Sequence, residues 1–188
     1  MDWILARTVD GQWHPGIGDP TIGGWLTVVA YFVAALLAVR AARCSAATRV
    51  RAFWIVTAII LFLLCVNKQL DLQTWLTQFG RRTALAEEWY DQRAFVQRAF
   101  VAGVALAGVA VAALAGWLVR KHLDELWLAL AGGCLLIVFV IVRATSIHHV
   151  DELLGVTLAN LPINFILENG GILTIVAATL SQHCASPQ

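Results

Sequence analysis

Residues Phe100–Val119 read FVAGVALAGVAVAALAGWLV, a run without a charge, an amide or a proline. The hydrocarbon core of a bilayer is about 30 Å thick, and a helix needs about 20 mostly apolar residues to cross it. A helix is the form expected there, because it satisfies every backbone N–H and C=O within its own segment. Working outward from this run, four further stretches have the same character. The spans are placed at 24–39, 53–72, 98–119, 126–143 and 163–180. The expected fold is an all-α polytopic membrane helix bundle in a single domain, residues 1–188. It has about five transmembrane helices: four plus a fifth that a break or a re-entrant turn could shorten, because it contains Glu168 and Asn169 followed by Gly170 and Gly171.

Composition agrees. Of 188 residues, 60% are hydrophobic and 13% charged, and the mean hydropathy is +0.75. Soluble domains carry roughly 25% charged residues, and a soluble chain this apolar could not cover its surface with polar groups. The net charge of +1 provides no field for nucleic acid. The amino terminus lacks the basic stretch and long apolar run of a cleavable signal peptide. No repeat of 20–50 residues is evident. The four cysteines, Cys44, Cys65, Cys134 and Cys184, show no Cys-x-x-Cys spacing and read as small hydrophobes or unpaired thiols. Phosphate-binding loops, nucleotide fingerprints, nucleophile elbows and haem-attachment motifs are missing from the sequence.

Orientation follows from Lys and Arg in the short connections. Arg40, Arg43, Arg49 and Arg51 follow the first span without an acid, and Arg120 and Lys121 follow the third. Both connections are expected in the cytoplasm of a cell with an inner (plasma) membrane. The N-terminus is then outside and, with five spans, the C-terminus inside. Residues 83–98 contain no Gly or Pro and are rich in helix formers. If they join the third span, that helix is about 55 Å long and projects beyond the bilayer. Trp89 and Tyr90 would then sit at the headgroups.

Two small-residue stripes predict close helix packing: Ala30, Ala34, Ala38 and Ala42 in the first span, and Gly108, Ala112 and Gly116 in the third. Abundance of alanine in membrane spans is the plainer explanation.

The polar residues gather at the outer ends. The second span closes with Asn67-Lys68-Gln69-Leu70-Asp71, the third opens with Gln97 and Arg98, and the fourth closes with Arg143, Ser146, His148, His149, Asp151 and Glu152. On the fifth, Asn160, Asn164 and Glu168 recur every four residues, with Pro162 near the start of the stripe. An ionisable group at membrane depth costs about 2.5–3.5 kcal/mol on insertion scales, so it is normally paired or functional. Lys68 can pair locally with Asp71, one turn away, or across the bundle with Glu168. His148 shares a helix face with Asp151 and Glu152, a pattern that could orient a general base or ligate a divalent metal. The turn-rich Pro15-Gly16-Ile17-Gly18-Asp19-Pro20 could form a lid to which His14 or Asp19 contributes.

These observations define a candidate site. His148 and Glu168 are its candidate acid or base. Lys68, Asp71, Arg98, Arg143 and Asn164 are its candidate binding groups, and His148, His149 and Asp151 its candidate metal ligands. The expected partners are the lipid bilayer and, at the site, a lipid headgroup or another membrane protein. The competing expectation is a non-catalytic accessory or assembly subunit whose polar cluster only locks helices together. A proton or ion pathway fits less well, because the inner halves of the spans carry no acid, base or amide to continue it.

Overall fold

The structure is a computed structural model that describes residues 7–9, 12–14, 19, 21–70, 93–145, 157–158 and 161–182. Five helices are long and apolar enough to cross a membrane. They are α1 (Ile22–Cys44), α2 (Thr48–Leu70), α3 (Arg93–Val119), α4 (Leu123–Thr145) and α5 (Ile163–Leu180). Two short antiparallel hairpins flank the bundle. β1 (Arg7–Val9) pairs with β2 (Gln12–His14) before α1, and β3 (Thr157–Leu158) pairs with β4 (Leu161–Pro162) before α5.

Neighbours in sequence are neighbours in space, and α5 closes the ring by packing on α1. The α1–α2 and α4–α5 contacts are the most extensive, and α3 is the outermost helix, its span contributing almost nothing to the interior. The buried core runs between Tyr31, Trp54 and Leu61 on α1 and α2, Leu126 and Leu136 on α4, and Ile172 and Ile175 on α5. Outward-facing Leu26, Ile59, Leu63, Leu106 and Leu173 are exposed, as expected for helices solvated by acyl chains.

α5 is an unbroken helix, so the fifth segment is a full span and the alternative of a break or re-entrant turn does not apply. Pro162 lies in β4, just before the first helical residue, where its missing N–H breaks no helical bond. Asn169 does not disturb the helix either, because its Nδ2 donates to the Phe165 carbonyl one turn back, at 3.0 Å. The helices also extend past several expected span limits. α1 begins at Ile22 rather than residue 24 and carries Arg40 and Arg43 in its final turns, since helical hydrogen bonding continues beyond the hydrocarbon. Among the described residues α3 begins at Arg93, which covers the last part of the long helix expected from residue 83.

The alanine stripe of α1 packs inward as expected, with Ala34 and Ala38 fully buried and Ala42 nearly so. The stripe on α3 is only partly used. Gly108 lies against Ile137 of α4, whereas Gly116 faces open space. The cysteine expectation holds for Cys65 and Cys134, both free thiols, but Cys44 is disulfide-bonded.

Candidate functional site

The chain alternates direction through the ring. The start of α1, the end of α2, the starts of α3 and α5 and the end of α4 therefore share one face. That face holds the ion pair between Lys68 in the last turn of α2 and Glu168 in the second turn of α5. Lys68 Nζ lies 3.0 Å from Glu168 Oε2. Glu168 is 3% exposed and the Lys68 side chain 14%, so both groups are largely withdrawn from solvent. Of the two pairings open to Lys68 in the sequence, the cross-bundle one is present; Asp71 lies outside the described residues.

A second carboxylate completes the arrangement. Asp19 Oδ2 lies 3.7 Å from the same Lys68 nitrogen, with its side chain 34% exposed. Local chemistry fixes Asp19. Its Oδ1 accepts from the Thr21 hydroxyl at 2.6 Å and from the Thr21 N–H at 3.2 Å, while Thr21 Oγ1 caps α1 by accepting from the Gly24 N–H at 3.0 Å. Gly24 is required for this fold-back, because a Cβ there would overlap the Asp19 carboxyl group and its backbone carbonyl. Burial pushes the Asp19 carboxyl up, but the Thr21 hydrogen bonds and the Lys68 ammonium outweigh burial and hold it below the ordinary carboxylate value.

α1 and α5 are joined just beneath. The Thr27 hydroxyl is shared between the Gly23 carbonyl at 3.0 Å and Asn169 Oδ1 at 3.4 Å. Tyr31, one turn deeper and 1% exposed, feels the opposite charges of Glu168 and Arg143. Its hydroxyl interacts with the Glu168 carboxylate. Both amide atoms of Gln69, which follows Lys68 in the chain, and Asn164 Oδ1, one turn before Glu168, complete no hydrogen bond. Trp54 Nε1, in the core nearer the opposite face, is a further such atom. Buried polar atoms usually find partners, so the Gln69 and Asn164 orphans, on the turns that carry Lys68 and Glu168, mark an incompletely satisfied polar network.

Of the residues singled out from the sequence, Lys68 and Glu168 come together here, and Asn164 lies one turn before Glu168 on the same helix. Arg143 ends α4 at the same face and acts electrostatically on Tyr31. Arg98 is exposed near the start of α3 at that face, and both arginines have interactions of their own. His148, His149 and Asp151 lie outside the described residues, as does Asp71. Among the described residues no group of three His, Cys, Asp or Glu side chains is placed to hold a metal. The sequence reading missed Tyr31 and Thr27, which sit in an apolar run and look like ordinary span residues. It noticed Asp19 only as a lid contributor.

Comparisons of the chain with protein-family models, with characterised proteins and with solved structures find no match. The fold itself therefore defines the class: a helical bundle with five membrane-crossing segments.

Proposed function

We propose that the chain is a small multi-pass inner-membrane protein whose polar cluster, at the extracytoplasmic face, binds a polar ligand of lipid-headgroup type. The observation that supports this is the set of unpartnered buried amide atoms on Gln69, next to Lys68 in the chain, and on Asn164, one turn before Glu168. A cluster serving only to lock helices gains nothing from such atoms. Each one left without a partner costs about 1–3 kcal/mol, and apolar residues of similar shape would avoid that cost. The ammonium, carboxylates and amides together offer donors and acceptors suited to a headgroup.

The test uses Asn164→Leu and Gln69→Met. If the amides serve a ligand, both variants should keep or slightly raise thermal stability in detergent while losing lipid retained through purification. Destabilisation by both, with no ligand found in the parent by lipid mass spectrometry and elemental analysis, would overturn the proposal. That outcome would favour the second reading, an accessory subunit with a structural lock, which the deep burial of Glu168 supports.

The proposed orientation rests on charge. Arg40, Arg43, Arg49, Arg51, Arg120 and Lys121 all belong to the face opposite the cluster, and such residues favour the cytoplasm. The disulfide at Cys44 argues the other way, since disulfides are rare in reducing compartments. Exposed Ala46 offers a direct test. In a Cys44→Ser background, Ala46→Cys should resist a membrane-impermeant maleimide in intact cells and react only after permeabilisation. Labelling from outside would invert the topology and make the oxidised Cys44 the better guide.

A further inference from the structure

On the face opposite the polar cluster, α1 and α2 line a groove of about 480 Å³ that opens outward. Ala42 and Ala58, both buried, form its floor, and their small side chains create the space. Exposed Val39, Ile55 and Ile59 form its apolar walls, and Arg43 and Arg51 stand at its end. From Arg51 to Ile59 the helix rises about 12 Å at 1.5 Å per residue. That is most of one leaflet's share, about 15 Å, of the hydrocarbon core. The groove thus runs from headgroup level down along the acyl region.

Its end is built for an anion. Arg51 is held in place by donating from Nη2 and Nε to the Ser45 carbonyl, at 3.1 and 3.4 Å, and a guanidinium carries five N–H donors in a rigid fork. No acidic residue occurs anywhere between Asp19 and Asp71, so the two groove-lining helices and their connection carry positive charge only. Arg49, on the same face, is placed differently: its guanidinium lies over the Trp117 ring, 5.8 Å from the centroid, as does that of Arg120.

We propose that this groove is a binding site for one anionic phospholipid, its acyl chain against Val39, Ile55 and Ile59 and its phosphate on Arg43 and Arg51. The site is separate from the polar cluster and does not depend on the function proposed there. Charge complementarity selects a phosphate-bearing lipid of net negative charge over a zwitterionic one, because a basic pocket between spans attracts anionic headgroups.

Native mass spectrometry of the full chain, with phosphatidylglycerol or phosphatidylcholine titrated into detergent, tests the proposal. The parent should retain one phosphatidylglycerol in clear preference to phosphatidylcholine. Arg43→Gln with Arg51→Gln should weaken that retention on the order of ten-fold or more. Val39→Phe, which fills the groove and leaves both arginines, should also weaken it. Arg49→Gln should not, and inorganic phosphate should not displace the lipid. Equal retention of both lipids by the parent, an Arg49→Gln loss matching that of the double variant, or no effect of Val39→Phe would overturn the proposal. Displacement by inorganic phosphate would do so too, by reducing the site to a bare anion contact.

Discussion

Lys68→Met is expected to destabilise the protein by about 3–5 kcal/mol, the cost of leaving a buried charge without its partner. For a chain of this size that corresponds to a fall in thermal midpoint on the order of 10 °C. Methionine keeps the length of the side chain, so the loss reflects charge rather than volume. Glu168, 3% exposed, would be stranded, whereas Asp19 at 34% exposure can turn to solvent. Glu168→Gln should cost less, because Lys68 keeps Asp19 at 3.7 Å and the new amide oxygen can still accept its hydrogen bond. Combining Lys68→Met with Glu168→Leu should recover much of the single-variant loss, since apolar replacement of a whole buried pair is often neutral or stabilising. The measurement is the thermal midpoint in detergent for the three variants and the parent. An unchanged midpoint for Lys68→Met would mean that the pair is well solvated and does not lock α2 to α5.

The second large effect concerns the α4–α5 seam. A Cβ on Gly132 would lie 2.8 Å from the Gly171 carbonyl oxygen and 3.0 Å from the Ile175 nitrogen. Both are backbone atoms that cannot rotate away. A Cβ on Gly171 would in turn meet the Leu136 side chain at 2.9 Å and the Gly132 oxygen at 3.1 Å. The two glycines therefore let the helix backbones touch, in a setting where close van der Waals packing is the main source of association. Gly132→Val should force the helices apart and cost about 3 kcal/mol, the upper part of the usual range for overpacking. Gly133→Ala provides the control, because a Cβ at Gly133 meets nothing within 4 Å. Equal melting behaviour of Gly132→Val and Gly133→Ala would show that the seam is looser than the contact implies.

The bundle was readable in the sequence because the bilayer imposes a single length and polarity on each span. Helix ends were less readable. Arg40 and Arg43 look like loop because they are charged, yet they continue α1 into the headgroup region. The Lys68–Glu168 pair could be named as one of two alternatives, since an ionisable residue at that depth needs a counter-charge. Establishing it required knowing that α5 brings Glu168 to the end of α2. Tyr31 could not be found that way, because its ring belongs to the apolar pattern and only its hydroxyl belongs to the site. Gly132 was equally hidden. Its neighbour Gly133 is identical in sequence terms, and only the rotation of α4 about its axis decides which of them meets α5.

The ring closes between its first and last helices, and with an odd number of alternating segments those two must run parallel while every other adjacent pair runs antiparallel. The aligned peptide dipoles of α1 and α5 consequently point their positive ends at the same side of the membrane. That is the side where two carboxylates share one ammonium. Asp19 sits directly at the positive end of α1, a position worth about 0.3–1 kcal/mol to an anion. Glu168 lies in the second turn of the neighbouring helix. The parity of the helix count thus supplies backbone charge of the sign these acids need, whereas an even-numbered ring would close on an antiparallel pair and turn the negative end of its last helix toward them.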